Sequence, residues 1–173
     1  MRTLADRLAR GEDSAFAELY DACADQLYRY AAARLGSTDV AADVVQTTFL
    51  RAVKSRRKFR QVENPIAYMF QIVRNETIRS ATSDQRRFEQ MAADSTPAGD
   101  NRDEAADDAE ALQAALRRLD EEDREIIELR IRSGLTFAEI AEVMKRPQGT
   151  VATRYRRAIE SLRGWLAREF SRE

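Results

Sequence analysis

Histidine is absent from the 173-residue chain, and cysteine occurs once, at Cys23. No histidine-based triad, His-ligated zinc site or Cys/His nucleophile pair can be built from that inventory, which removes several enzyme classes. Cys23 has no partner for an intrachain disulfide and is expected to pack inside a helix pair. Six glycines, three prolines and 8% aromatics leave a chain dominated by Ala, Arg, Glu and Leu. That composition points to an all-α fold. The N-terminus has no apolar run suited to a signal peptide. Nowhere does an apolar stretch reach the roughly 18 residues of a membrane span, so the expectation is a cytoplasmic protein.

The formal net charge of -1 conceals segregation. Arg51 to Arg60 carries six basic residues and no acid, and Lys145 to Arg168 carries seven against Glu160 alone. Asp94 to Glu110 holds seven acids against Arg102. This is the pattern of two polyanion-facing patches separated by an acidic tether. The length and the composition break predict two small helical domains, at 1–88 and 109–173. The aperiodic stretch 89–108 reads as a flexible linker that leaves their relative placement open.

Helix signals follow in order. A short helix over Thr3 to Arg10 ends at Gly11. A long one starts at Asp13 or Ser14, turns Phe16, Leu19, Tyr20, Cys23, Leu27, Tyr30, Ala31 and Leu35 inward, and is capped by Gly36. Ser37 or Thr38 opens the next, with Ala41, Val44, Val45, Phe49 and Ala52 inside. Asn64 and Pro65 start another, with Ala67, Phe70, Ile72, Val73 and Ile78 at buried spacing. Leu112, Leu116 and Leu119 begin a C-terminal group of four helices.

The stretch Leu135 to Leu162 is the most informative. Thr136 and Glu139 form a capping box, with Ile140, Ala141 and Met144 facing inward. Pro147 stops that helix and, with Gln148, Gly149 and Thr150, opens the next. Val151, Tyr155, Ala158, Leu162 and Leu166 make its apolar stripe, and Thr150, Thr153, Arg154, Arg156 and Arg157 its polar side. Such a pair suits helix-turn-helix insertion into a DNA major groove. A basic, solvated surface helix in a bundle is the plainer reading, because the turn lacks the usual glycine and has Lys145 at the bend.

The runs LDEEDREIIELR, GLTFAEIAEVM and GTVATRYRRA resemble region 4 of sigma factors of the extracytoplasmic-function group, within the sigma-70 family of bacterial transcription initiation subunits. The pattern departs at Lys145, where many members have Gly or Asp, and at Ala152, where a cation is usual. FAELYDACADQLYRYAAARLG, DVVQTTFLRA and NPIAYMFQIVRNETIR resemble region 2 of the same family. The resemblance implies a non-enzymatic sigma factor without cofactor or metal. It implies promoter DNA and core RNA polymerase as partners, the latter through the beta-prime clamp and beta flap, with an anti-sigma factor as a further one.

By position in the motifs, Thr150, Thr153 and Arg157 would read the -35 element, with Arg154 and Arg156 as phosphate clamps. Arg51, Phe59, Asn64, Phe70 and Asn75 would serve the -10 element. Phe59 stands out as an aromatic in a basic loop, Phe70 is more often core than platform, and Tyr68 would pack under the loop. Asp39, Asp43, Gln46 and Thr47 would face the polymerase. Most acids usual in that helix are missing, so a Ser/Thr kinase acting on Thr47, or secondarily Thr48, would supply the charge; weaker core binding is the alternative. Two other functions fit the residues: a helix-turn-helix regulator with a sensing or partner-binding N-terminal bundle, and a helical adaptor without a DNA role.

Overall fold

A computed structural model describes residues 3–91 and 104–170, with side-chain surroundings over 3–82 and 111–168. Every regular element among them is helical: α1 (Leu4–Arg10), α2 (Asp13–Leu35), α3 (Thr38–Lys54), a 3-10 segment (Arg56–Gln61), α4 (Pro65–Met91), α5 (Glu104–Arg118), α6 (Glu121–Ile127) running into a π-turn (Glu128–Arg132), α7 (Phe137–Met144) and α8 (Gln148–Phe170). The boundaries follow side-chain chemistry. Thr3 and Thr136 each form a reciprocal capping box, with Asp6 and Glu139. Ser37 caps α3, and Asn64 Oδ1 accepts from the Ala67 amide to start α4. Gly11 and Gly36 close α1 and α2 in the left-handed region.

The α2, α3 and α4 helices pack around Leu19, Leu27, Tyr30, Ala41, Ala52, Met69, Phe70 and Val73, all fully buried. The α1 helix rests against the 3-10 segment. A smaller cluster of Ala115, Leu119, Ile127, Ala158 and Leu162 joins α5, α6 and α8. Tyr20 and Ile78, expected inside, are 54% and 45% exposed. Apolar periodicity names a helix face, but the neighbouring helices decide how far round that face they reach.

The linker expected over 89–108 is narrowed from both ends, because α4 reaches Met91 and α5 begins at Glu104. The residues between lie outside the described ones. The two helical domains, whose mutual placement the linker alone does not set, are docked. One apolar core contains Tyr30, Phe70 and Val73 of the first half together with Ile126, Leu129, Leu135, Ile140 and Val143 of the second.

Polar groups seal the same seam. Tyr30 donates to Glu125 Oε1 at 2.6 Å, and Arg74 holds both oxygens of Glu125 at 2.8 and 3.1 Å. Arg34 pairs with Glu121 and, at 3.6 Å, with Glu128. Burial pushes the Tyr30 phenol well above its ordinary value, and the Glu125 charge adds to this. Burial likewise raises Glu128, against the pull of Arg34.

Candidate nucleic-acid interface

Two cationic surfaces stand on separate elements. The first is a cleft of about 500 Å³ between the end of α3, the 3-10 segment and α4. Arg51, Lys54, Lys58 and Arg79 bring four cations to it, and Tyr68, Gln71 and Asn75 bring a flat ring and two amides. Its one acid, Glu76, is 7% exposed and paired with Arg51 at 3.0 Å and Arg79 at 3.7 Å. Cations for phosphate, with a ring and amides for an unstacked base, are what capture of a single strand requires. Gln71, Asn75 and Arg79 recur at spacing four, so one face of α4 carries them. That periodicity was available in the sequence and is the signal by which Gln71 and Arg79 could have been found.

Of the residues expected at the -10 element, Arg51 and exposed Asn75 line this cleft. Phe59 does not. Its ring is fully buried, 6.2 Å from Phe16 and 5.1 Å from Tyr68, both edge-on. The 3-10 turn points the cations of the loop outward and Phe59 into the core, with Tyr68 packed beneath it. Phe70 is also core, 6.0 Å from Tyr30. Asn64 is already engaged, since besides capping α4 it donates Nδ2 to Glu139 of α7 at 3.0 Å. Burial tends to raise Glu139, but the Thr136 amide and hydroxyl and the Asn64 amide hold it below the usual carboxylate range.

The second surface is the N-terminal half of α8. Lys145 closes α7 at φ 54°, a left-handed residue doing the work of glycine in the helix-turn-helix turn. Val151 and Ala158 face inward, Tyr155 meets Phe137 at 5.3 Å, and Thr150, Thr153, Arg156 and Arg157 are exposed. The Thr153 hydroxyl donates to Gly149 O at 2.8 Å and keeps its oxygen free to accept. Arg154, expected as a phosphate clamp, turns inward to the acidic start of α6. It lies 2.8 Å from Asp123, 3.0 Å from Glu122 and 3.1 Å from Asp120.

A third surface is apolar. Tyr20 and Tyr28 of α2 and Val45, Phe49, Leu50 and Val53 of α3 line a groove of about 420 Å³, which Gln46 also borders. Asp39, Asp43 and Gln46 are exposed along α3, and Thr47 is half-buried. Thr48 is fully buried and donates its hydroxyl to Val44 O at 2.8 Å, so it is no surface for a kinase. Among the described residues no helix is long and apolar enough to cross a membrane.

Comparison with known proteins agrees with this layout. Residues 19–87 match the family model for Sigma-70 region 2, and residues 109–162 that for Sigma-70, region 4. The extracytoplasmic-function (ECF) RNA polymerase sigma factor BldN of Streptomyces coelicolor is 32% identical over 94% of the chain, which spans 64% of that relative's length. The ECF sigma factor SigL of Mycobacterium tuberculosis is 30% identical, with 90% of each chain covered. Among solved structures, CnrH in complex with the cytosolic domain of CnrY superposes at TM-score 0.71 with 26% identity over 95% of both chains. The sigma factor RpoE in complex with the anti-sigma factor NepR from Bartonella quintana shares the fold at TM-score 0.63, with 24% identity over 89% of this chain and 95% of that one.

Proposed function

Because the chain belongs to the extracytoplasmic-function group of the sigma-70 family, we propose that it is a non-enzymatic promoter-recognising subunit of bacterial RNA polymerase. The observation that carries this reading is the order of the two region matches, each coinciding with a surface of suitable chemistry. In this reading Thr150, Thr153, Arg156 and Arg157 meet the -35 element. The cleft of Arg51, Lys54, Lys58, Tyr68, Gln71 and Asn75 holds the opened strand at the -10 element. The groove between α2 and α3, with Asp39, Asp43 and Gln46, seats the polymerase clamp.

The docked arrangement is then the resting form. Elements named for positions -10 and -35 lie about 25 base pairs apart, or about 85 Å at roughly 3.4 Å per step. A compact chain of this length has a radius of gyration of about 16 Å. The halves must separate to engage both elements. Docking also occupies Asn64, and Gln71 of the strand-binding cleft donates to Glu142 O of α7 at 3.2 Å, so both are released by the same opening.

Two regulators fit. An anti-sigma factor would hold the closed form, a role consistent with the compact shape shared with CnrH in its CnrY complex. A Ser/Thr kinase would act on Thr47, one turn beyond Asp43, adding roughly -1.5 to -2 charge where carboxylates are sparse. Thr47→Glu should then raise affinity for core polymerase. Tight core binding that Thr47→Ala leaves unchanged would remove the kinase from the scheme. The function as a whole is tested by co-purification with core polymerase followed by run-off transcription. Promoter-dependent transcripts are expected. DNA binding without core association would instead make the chain a helix-turn-helix regulator.

A further inference from the structure

Among the described residues of the second half, the most heavily paired cation is Arg154, on the helix that is to read DNA. Its Nε lies 2.8 Å from Asp123 Oδ1, in close ion contact though not aligned as a hydrogen bond. Its Nη2 lies 3.0 Å from Glu122 Oε2 and donates to Asp120 at 3.1 and 3.2 Å. Asp120 is in turn the cap of α6, accepting from the Asp123 amide at 2.8 Å. Glu122 also accepts from Arg146 Nε at 2.7 Å, in the turn that leads into α8. Three carboxylates of one helix start thus grip the turn before α8 and a point inside it. The Arg154 side chain is 23% exposed, against 65% for Arg157, whose nearest carboxylate is 4.0 Å away.

A phosphate arriving at Arg154 would meet Asp120, Glu122 and Asp123 at hydrogen-bonding range of the same guanidinium. Like-charge repulsion and the loss of three ion pairs oppose that exchange. Exposed Arg156 and Arg157 offer phosphate the same charge at less cost, Arg157 having one carboxylate, Asp123, at 4.0 Å. The planar guanidinium is suited to spanning several carboxylates in a fixed geometry, which a lysine ammonium cannot reproduce. Base readout needs side chains held within about 0.5 Å and 10–20° of their working geometry. We propose that Arg154 is a positioning residue that ties α8 to the acidic start of α6 and so aims Thr150 and Thr153 at the bases, without contacting DNA.

The proposal rests on the promoter-recognition reading, and the test separates the two. The full chain, without polymerase, enriches a duplex from a randomised pool. Affinities for that duplex and for a shuffled one of equal composition are then measured across salt concentration. Arg156→Gln should weaken both and flatten the log–log salt slope by about one. Arg154→Gln should lower the ratio of the two affinities roughly tenfold with the slope unchanged. Arg154→Lys should recover little of the ratio, and Asp123→Asn should reproduce the loss with Arg154 intact. Arg154→Gln behaving like Arg156→Gln, or Asp123→Asn tightening both duplexes at constant ratio, overturns the positioning role. Enrichment of no duplex by the wild-type chain overturns the positioning role, and the absence of promoter-dependent transcripts with core polymerase overturns the promoter reading as well.

Discussion

Phe59 stands among six cations in the sequence and yet is among the most buried side chains of the first domain. Its ring bridges Phe16 of α2 and Tyr68 of α4, so it anchors the basic turn from below. Phe59→Ala should destabilise the protein by about 3–5 kcal/mol in chemical denaturation, the usual cost of emptying a buried aromatic site. Phe59→Leu should largely restore stability and strand binding together; strand binding lost with stability intact would return Phe59 to the DNA. Cys23 carries a second prediction. Burial raises its thiol from 9.0 to about 12, so the fold favours the neutral form. Its contribution is therefore fully present below pH 9 and lost as pH rises toward 12, with a slope of about 1.4 kcal/mol per pH unit in that window. Cys23→Ala should flatten the pH dependence of unfolding by one proton between pH 9 and 11; an unchanged slope would show a thiol free to ionise in the folded state.

At the scale of elements, the turn between α7 and α8 is built against local preference. Lys145 adopts φ 54°, a conformation costing a non-glycine residue roughly 1–2 kcal/mol. The turn is held by the Lys145 amide bonding Glu142 O and by the Arg146 amide bonding Ala141 O, while the Arg146 side chain reaches Glu122. Lys145→Gly should raise stability by about 0.5–1 kcal/mol, read as a higher melting temperature, with DNA affinity little changed because the Lys145 charge lies outside the α8 reading face. A fall in melting temperature would mean that lysine contributes more than its backbone costs. The α3 helix shows the opposite case, where sequence neighbours part company. Thr47 and Thr48 differ by one step of 100°, and that step separates a half-buried hydroxyl from one sealed against Val44 O.

For the whole molecule the decisive contact is the seam. Glu125 is 3% exposed and receives Tyr30 and Arg74, from α2 and α4. Removing one partner of a buried, hydrogen-bonded charge pair costs about 3–5 kcal/mol. Glu125→Ala should therefore shift the closed-to-open ratio at least a hundredfold, and Tyr30→Phe, which removes a bond to a charged acceptor worth about 1.5–3 kcal/mol, by tenfold or more. Small-angle scattering reads this as a radius of gyration rising above the compact value of about 16 Å. Variants as compact as wild type, with helicity retained, would show that apolar burial alone holds the domains together.

What the sequence by itself determined is local and periodic: the helix start at Thr3, the capping box at Thr136, the stops at Gly11, Gly36 and Pro147, the apolar stripe of α8 and the segregation of charge. These depend on residues within a turn or two of one another, whose chemistry acts wherever the helix is later placed. The tertiary structure alone decided which side chains were left for function. Phe59 and Arg154 both lie in strongly basic stretches: Phe59 stands out there as an aromatic but its burial depends on distant partners, and nothing nearby in sequence distinguishes Arg154 from Arg156 and Arg157. Phe59 is buried because Phe16 and Tyr68 close over it, and Arg154 is paired because α6, more than thirty residues earlier, brings its first turn of carboxylates to α8. The docking of the two domains has the same origin, since Tyr30 and Glu125 are 95 residues apart and acquire a shared fate only when each is taken out of water by the other's helix.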